Sequence, residues 1–316
     1  MKKNILIFIA AIIPVLCNAE ETGSAILPDV TYMFAQRDTC DLFMDVYEPS
    51  EGSQTTYHGK EKPTIIFMFG GGFIAGSRNE RSYLQWYRDM ADNGYRVIAI
   101  DYRLGLKGAK SVGIAQVKSI DNAIHLAVED LYSAVLYIID NAETMGVDPS
   151  NIVISGSSAG AITVLQADYE LCNRTEYASC LPEDFHFAGV MSFSGAILSH
   201  NGKVKYEERP APTAFFHGTG DKLVNYGQIT FFNLGLFGSD KLALRFKKFG
   251  YSYSIFRYLD HGHEVAGFMG ITEDLQLRFL EDNVIDKAQV VLDITIEDTR
   301  LAKGKGSQSR KELYGK

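Results

Sequence analysis

The pentapeptide GSSAG, residues 156–160, follows the apolar run IVIS and precedes AITVLQA. A Gly-x-Ser-x-Gly between a buried strand and a helix forces its serine into a sharp turn, so the hydroxyl of Ser158 stands above the sheet edge. A serine hydroxyl is a weak nucleophile until a base takes its proton, and that base needs a carboxylate to orient it. Downstream, FFHGTGDKLV puts Asp221 on the loop after a buried strand, and RYLDHGHE puts His261 and His263 on the loop after the last one. Both loops lie at the carboxyl ends of parallel strands, the edge that carries Ser158. We take Asp221 as the acid and His263 as the base, with His261 stacked against it or supporting it. Asp260 is too close to the base in sequence to reach behind it. His217 reads as a satisfied strand-end residue, and His58, His125, His186 and His200 as surface or packing residues.

A second stretch with chemistry in it is IFMFGGGFIAG (66–76), an apolar run that breaks into three glycines followed by Phe73. The tetrahedral intermediate of acyl transfer carries its charge on the former carbonyl oxygen, which needs preorganised N–H donors. Gly71 and Gly72 supply such donors together with Ala159, the residue after the nucleophile. The rival reading is a nucleotide-phosphate cradle, since Gly70, Gly72 and Ala75 loosely match the dinucleotide fingerprint. Asp101, the acid that ends the next strand, comes later than the usual offset of about 20 residues. A nucleotide domain also leaves Ser158, Asp221 and His263 unexplained. There is no CxxC and no metal-spaced cluster, so the chemistry calls for neither metal nor cofactor.

These residues need a scaffold, and its order is readable. VTYMFAQRDTCDLFMDVYEPS (30–50) alternates like two antiparallel strands. PTIIFMFG (63–70) and YRVIAIDY (95–102) are continuous apolar runs, as in strands buried on both faces. Helical spacing runs over 81–94, ending at Gly94, and over 125–146, ending at Gly146. Strands follow near 187–196, 212–221 and 253–264, with helices expected near 227–249 and 265–282. Strands alternating with helices predict a mostly parallel sheet covered on both faces, with the antiparallel pair at its N-terminal edge. The catalytic domain is expected over 20–285. The tail, 286–316, holds one alternating piece, VLDITIE, and is otherwise expected to be loose.

The first nineteen residues read as an export signal: Lys2 and Lys3, the apolar ILIFIAAIIPVLC, then small residues with cleavage after Ala19. The run is short for a membrane span and Pro14 interrupts it, so no stable membrane insertion is expected. Leu16 is too bulky for Cys17 to make a good lipidation site, which leaves a periplasmic or extracellular protein. Without the signal, 29 basic residues face 39 acidic ones, a net charge near −10. No basic stretch has aromatic interleaving, which argues against nucleic acid as a partner. Cys172 and Cys180 are close enough in sequence to staple a loop in an oxidising compartment, leaving Cys40 buried.

In LFMDVYEP, FMFGGGF, VIAIDYRLG, AVEDLYSAVLYI, GSSAG, HGTGD and HGHE, taken in that order, the chain resembles the α/β-hydrolase esterases. The likeness is to the group around hormone-sensitive-lipase-like, carboxylesterase, and feruloyl- or acetyl-xylan-esterase-like enzymes, and covers most of residues 30–285. It implies an α/β-hydrolase fold with nucleophile Ser158, acid Asp221, base His263 and oxyanion glycines Gly71 and Gly72. Phe69 stands where the family usually has a histidine that braces the glycine loop, and Ser157 where many relatives have Asp or Glu.

The function expected is an exported serine esterase acting through an acyl-enzyme on Ser158, on small-molecule or carbohydrate esters such as short-chain acyl or aryl esters of polysaccharides. A peptidase or amidase of the same fold and a non-catalytic binding protein are the alternatives. Residues 165–185 are long for a simple connection and could wall a pocket. Phe73, Trp86 and Tyr102 are placed to stack on a sugar or phenolic ring, or else to fill the core. Acyl-chain length, alcohol half and oligomeric state are left open.

Overall fold

The run TIIFM forms strand β5 (Thr64–Met68), in which every residue is buried. The computed structural model to which it belongs describes residues 25–108 and 117–304. The expected signal segment 1–19 and the chain end 305–316 lie outside the described residues.

Before β5 come β1 (Val30–Gln36), β2 (Asp41–Tyr47) and a small hairpin of β3 (Thr56–Tyr57) and β4 (Lys60–Glu61). After it come α1 (Arg81–Asp92), β6 (Val97–Ile100), α2 (Val117–Asp140), the short α3 (Ala142–Met145), β7 (Ile152–Ser157) and α4 (Ala159–Cys172). The second half holds β8 (Gly189–Phe193), β9 (Ala196–Ser199), β10 (Thr213–Gly218), β11 (Gln228–Phe231), β12 (Leu234–Gly238), α5 (Ser239–Phe249), β13 (Tyr253–Tyr258), α6 (Glu273–Phe279) and β14 (Leu292–Ile296).

Nine strands form the main sheet in the order β1-β2-β6-β5-β7-β8-β10-β13-β14. The pairs β1–β2 and β2–β6 are antiparallel, and the rest are parallel. Complete burial of β5, β6, β7, β8 and β10 means that side chains on both sheet faces are covered. Ile65, Ile66, Phe67 and Met68 are each inaccessible to solvent, and each contributes about 2 kcal/mol of transfer free energy. Helix α4 packs on β5, β7, β8 and α2, and α5 on β10 and β13. Helix α2 is long and apolar enough to cross a membrane, but its apolar face is spent on the core.

Several expectations are corrected. Helix α2 starts at Val117 rather than 125. No helix begins at 227. Residues 228–238 instead form the hairpin β11–β12, whose second strand pairs with β9 in a separate three-stranded sheet. Helix α5 starts only at Ser239 and ends on the left-handed Gly250 (φ 66°). The single helix expected over 265–282 is broken into 3₁₀ turns at His263–Gly267 and Gly270–Thr272, α6, and a π-helical turn at Leu280–Ile285. Gly267 and Gly270 weaken helix continuity there. Leu292–Ile296, within the alternating piece VLDITIE of the tail, is the ninth strand of the main sheet, paired in parallel with β13.

The cysteines are corrected too, because Cys40, Cys172 and Cys180 are all free thiols. Cys172 is buried in α4 and its thiol faces the Arg209 carbonyl at 3.7 Å, while Cys180 faces that of Tyr177 and is exposed. Cys40, expected inside, is exposed beside the turn between β1 and β2.

Candidate active site

Ser158 sits between the last residue of β7 and the first of α4 with φ 51° and ψ −112°. A non-glycine residue with φ in that region costs on the order of 1–3 kcal/mol, which the surrounding structure must impose. Close packing does so. A Cβ on Gly160 would lie 2.1 Å from the Met68 carbonyl oxygen, so only glycine lets α4 start this close to β5. The Ser158 N–H donates to Phe193 O at 2.9 Å, tying the turn to the end of β8. Ser157 Oγ, where many relatives carry an acid, donates to Ala266 O at 2.7 Å and anchors the turn to the loop that carries His263.

The structure brings the three predicted side chains together. Ser158 Oγ is 2.8 Å from His263 Nε2, and His263 Nδ1 is 2.8 Å from Asp221 Oδ2. All three are buried, with Ser158 5% exposed. With a carboxylate on one side, Nδ1 carries the imidazole proton, which leaves the Nε2 lone pair facing the serine hydroxyl. Asp221 Oδ1 accepts the N–H groups of Leu223 (2.9 Å) and Val224 (3.1 Å), so the carboxylate is fixed by its own loop. Burial alone would raise its pKa, but hydrogen bonds from His217 and then His263 outweigh burial and hold Asp221 well below the usual carboxylate range. It is therefore a permanent anion at neutral pH.

His217 is the residue that sequence reasoning undervalued. It is buried, with Nε2 3.0 Å from Val224 O and 3.2 Å from Asp221 Oδ2, and Nδ1 2.7 Å from Ser239 Oγ. Nε2 faces two acceptors and so carries a proton, making His217 a second donor to the acid. The signal was the strand end itself: in TAFFHG the last polar side chain before the acid loop points back under it. The loops of Asp221 and His263 also touch through backbone. Gly220 N–H donates to His261 O at 2.8 Å, and a Cβ on Gly218 would lie 2.3 Å from that same oxygen.

The glycine turn runs through positive φ at Gly71 (123°), Gly72 (63°) and Phe73 (61°). Gly70 N–H is taken by the Tyr83 hydroxyl at 3.0 Å. Among the described residues, the N–H groups of Gly71, Gly72 and Ala159 have no hydrogen-bond acceptor, so they can serve an oxygen brought to the site. Phe69, in place of the usual histidine, stacks on Tyr102 at 4.3 Å, and Tyr102 donates to Phe69 O at 2.9 Å. An aromatic brace stands in for a polar one.

Phe73 and Tyr102 are buried and belong to the hydrophobic core cluster. Trp86 is equally buried and donates to Gln276 Oε1 at 2.9 Å. Of the two readings, ring stacking or core filling, burial favours the core for all three. Of the other histidines, His125 packs flat on Tyr177 at 3.8 Å, and His58 pairs with Asp286 at 2.8 Å. Asp260 is exposed at the loop tip and 3.4 Å from Lys303, and it takes no part in the relay.

Residues 44–197 match the BD-FAE family model, an α/β-hydrolase esterase family. The chain is 31% identical over 139 residues to a neuroligin-like protein, glit-1, of Caenorhabditis elegans, covering 43% of this chain and 17% of that one. It is 30% identical over 119 residues to gut esterase 1 of the same organism, covering 38% and 20%. The chain thus spans about a fifth of the length of these curated relatives. Among solved structures, the propionate-bound esterase Est2 of Thermogutta terrifontis aligns with TM-score 0.59 and 21% identity, over 82% of this chain and 96% of that one. The shared architecture is the α/β-hydrolase fold.

Proposed function

We propose that this chain, an α/β-hydrolase by fold whose residues 44–197 match the BD-FAE family, hydrolyses carboxylic esters through an acyl-enzyme on Ser158. The observation that carries the reading is the pair of 2.8 Å contacts linking Ser158, His263 and Asp221 at a strained turn. His263 Nε2 takes the hydroxyl proton as Ser158 Oγ bonds to the ester carbonyl carbon. The oxyanion meets the N–H groups of Gly71, Gly72 and Ala159, each such donor supplying roughly 3 kcal/mol of barrier reduction. The tetrahedral intermediate then expels the alcohol, which leaves with the proton held on Nε2. Water enters, gives a proton to Nε2, attacks the acyl carbon and releases the carboxylic acid, and Ser158 recovers its proton. Asp221 stays ionised and steadies the imidazolium.

The substrate class we favour is a short-chain acyl ester, with a sugar backbone as the alcohol half. A nucleophile only 5% exposed suits a small acyl group, and the structural relative from Thermogutta terrifontis was solved with propionate. Feruloyl esters fit less well, because Phe73, Trp86 and Tyr102 are occupied in the core. We further propose that the protein is exported, on the strength of the signal-like residues 1–19.

The test is nitrophenyl acetate turnover by wild type and Ser158→Ala, with acetyl, butyryl, octanoyl and feruloyl esters as a panel. Ser158→Ala should lose at least about 10³-fold in kcat and all labelling by a fluorophosphonate. Equal turnover by the two proteins removes the esterase reading, and a preference for octanoyl removes the short-chain one.

A further inference from the structure

The loop that carries the base is held from two sides, and only one of them is the acid loop. On the other side lies the chain after β13 and β14. Strand β14 aligns with β13 from Ser254 opposite Leu292 to Tyr258 opposite Ile296, and Leu259 N–H continues the ladder by donating to Ile296 O at 2.9 Å. The chain then turns at Asp298, where Arg300 and Leu301 N–H groups bond back, and returns to the histidine loop. There Gly304 N–H donates to Glu264 Oε1 at 2.8 Å.

Glu264 follows His263 directly, yet its carboxylate folds back past that residue. The same Oε1 accepts Gly262 N–H at 2.9 Å and faces His261 Nδ1 at 3.0 Å. One oxygen therefore gathers the residue before the base, the imidazole two before it, and a strap about 40 residues later in the chain. His261 is 1% exposed, and its ring stands edge-on to Tyr258 and Phe268, so that contact is rigid. Burial alone would raise the pKa of Glu264. Hydrogen bonds from Gly304 and Gly262, and then His261, outweigh burial and hold it below the usual carboxylate range.

We infer that Glu264, together with the strap 292–304 that it binds, is a positioning device for His263, fixing the backbone of residues 261–264 so that Nε2 meets Ser158 Oγ. The inference rests on the esterase reading for its kinetic consequence only. Asp221 sets the tautomer and tilt of the ring, and Glu264 sets where the ring starts. A segment that looks like a tail is on this account part of the machinery.

Three full-length variants test it: Glu264→Ala removes the acceptor, Glu264→Gln keeps an acceptor oxygen, and Gly304→Pro removes the strap's N–H donor while fixing the backbone there. The measurements are kcat and KM on nitrophenyl acetate, the thermal midpoint, and the far-downfield proton resonance of the His263–Asp221 hydrogen bond. Glu264→Ala should lower kcat roughly ten- to a hundredfold with KM within about twofold, and weaken or shift that resonance. Glu264→Gln should recover to within about threefold of wild type, and Gly304→Pro should fall between the two. A Glu264→Ala protein that keeps wild-type kcat, or only melts earlier with the resonance unmoved, overturns the inference. If Glu264→Ala does not fold, a wild-type kcat and resonance in Gly304→Pro overturns it instead. Should wild type itself show neither turnover nor Ser158 labelling, the esterase reading fails, while the resonance still decides this one.

Discussion

Between β5 and α4, the glycine turn and the serine turn each sit inside a strand–turn–helix unit, and β5 and β7 are immediate neighbours in the sheet. Between β10 and β14, Asp221 and His263 stand on loops separated by a hairpin, a helix and a strand. They meet through long-range contacts, Gly220 N–H on His261 O and the strap on Glu264, with His217 beneath Asp221 bracing the acid from four residues earlier. In the first region, fold and chemistry are the same contacts. In the second, side chains could be changed without disturbing the sheet. Substitutions should therefore abolish stability and turnover together in the first region and separate them in the second.

Asp221→Asn should give the largest effect and the cleanest separation. The amide oxygen can still accept the N–H groups of Leu223 and Val224 in place of Oδ1. Its NH₂ then faces His263 Nδ1, which must give up its proton and turn acceptor, leaving the proton on Nε2 where the lone pair is needed. The expected loss is about 10⁴-fold in kcat with a thermal midpoint near that of wild type. A parallel collapse of the midpoint would show that the second region is no more separable than the first.

Gly160→Ala probes the other region. The added Cβ would meet Met68 O at 2.1 Å and Phe69 O at 2.7 Å, both backbone atoms with nowhere to go. Destabilisation of about 3 kcal/mol or more, read as a shift in urea midpoint, should accompany loss of turnover. Full stability with lost activity would break the comparison.

The same difference decides what was legible in the sequence. GSSAG and FGGGF are local patterns with fixed geometric meaning, so both turns could be placed. Asp221 and His263 could be found because loops after buried strands converge on one edge. The role of Glu264 could not, since it depends on a strap about 40 residues later and on a carboxylate folding back; that of His217 hung on its loop curling so that Asp221, four residues on, returns over the ring. The hairpin 228–238 was misread for a related reason. ITFFNLGLF has enough apolar residues for one helical face, and only pairing of β12 with β9, about 40 residues earlier, selects the extended form. Arg103 and Arg37 converge on the fully buried Asp130, another contact with no local signature.

At the seam between the regions lies Asp168, buried on α4 and accepting Ala211 N–H at 3.4 Å just before β10. Burial, opposed by that bond and by Cys172, raises its pKa from 3.8 to about 7. The folded state therefore holds this proton more tightly than the unfolded chain does. Its contribution is most favourable below the unfolded value and declines as pH rises from about 4 through 7. Asp168→Asn keeps an acceptor for Ala211 and never ionises. It should be the more stable protein at pH 8, by on the order of 4 kcal/mol, with the gap closing toward pH 4. Urea midpoints across that range measure it, and parallel curves for the two proteins would remove the seam from the comparison.

The smallest effect should come from the tip of the hairpin. Phe232 is 87% exposed with φ 52°, and among the described residues its ring partner is Phe231, itself 66% exposed. Neither ring fills the core, and no hydrogen bond of the relay passes through β11. Phe232→Ser removes an exposed ring at a position already strained for any side chain, so the change in stability should stay within about 0.5 kcal/mol. Turnover of nitrophenyl acetate should be unchanged, because among the described residues no hydrogen bond joins the hairpin to Asp221 or His263. A larger ester offers the sharper reading. If KM for an acylated oligosaccharide rises in Phe232→Ser while the small substrate is unaffected, the hairpin extends the binding surface and the second region carries specificity as well as proton transfer. If neither changes, its contribution to the reaction ends at the relay and the strap.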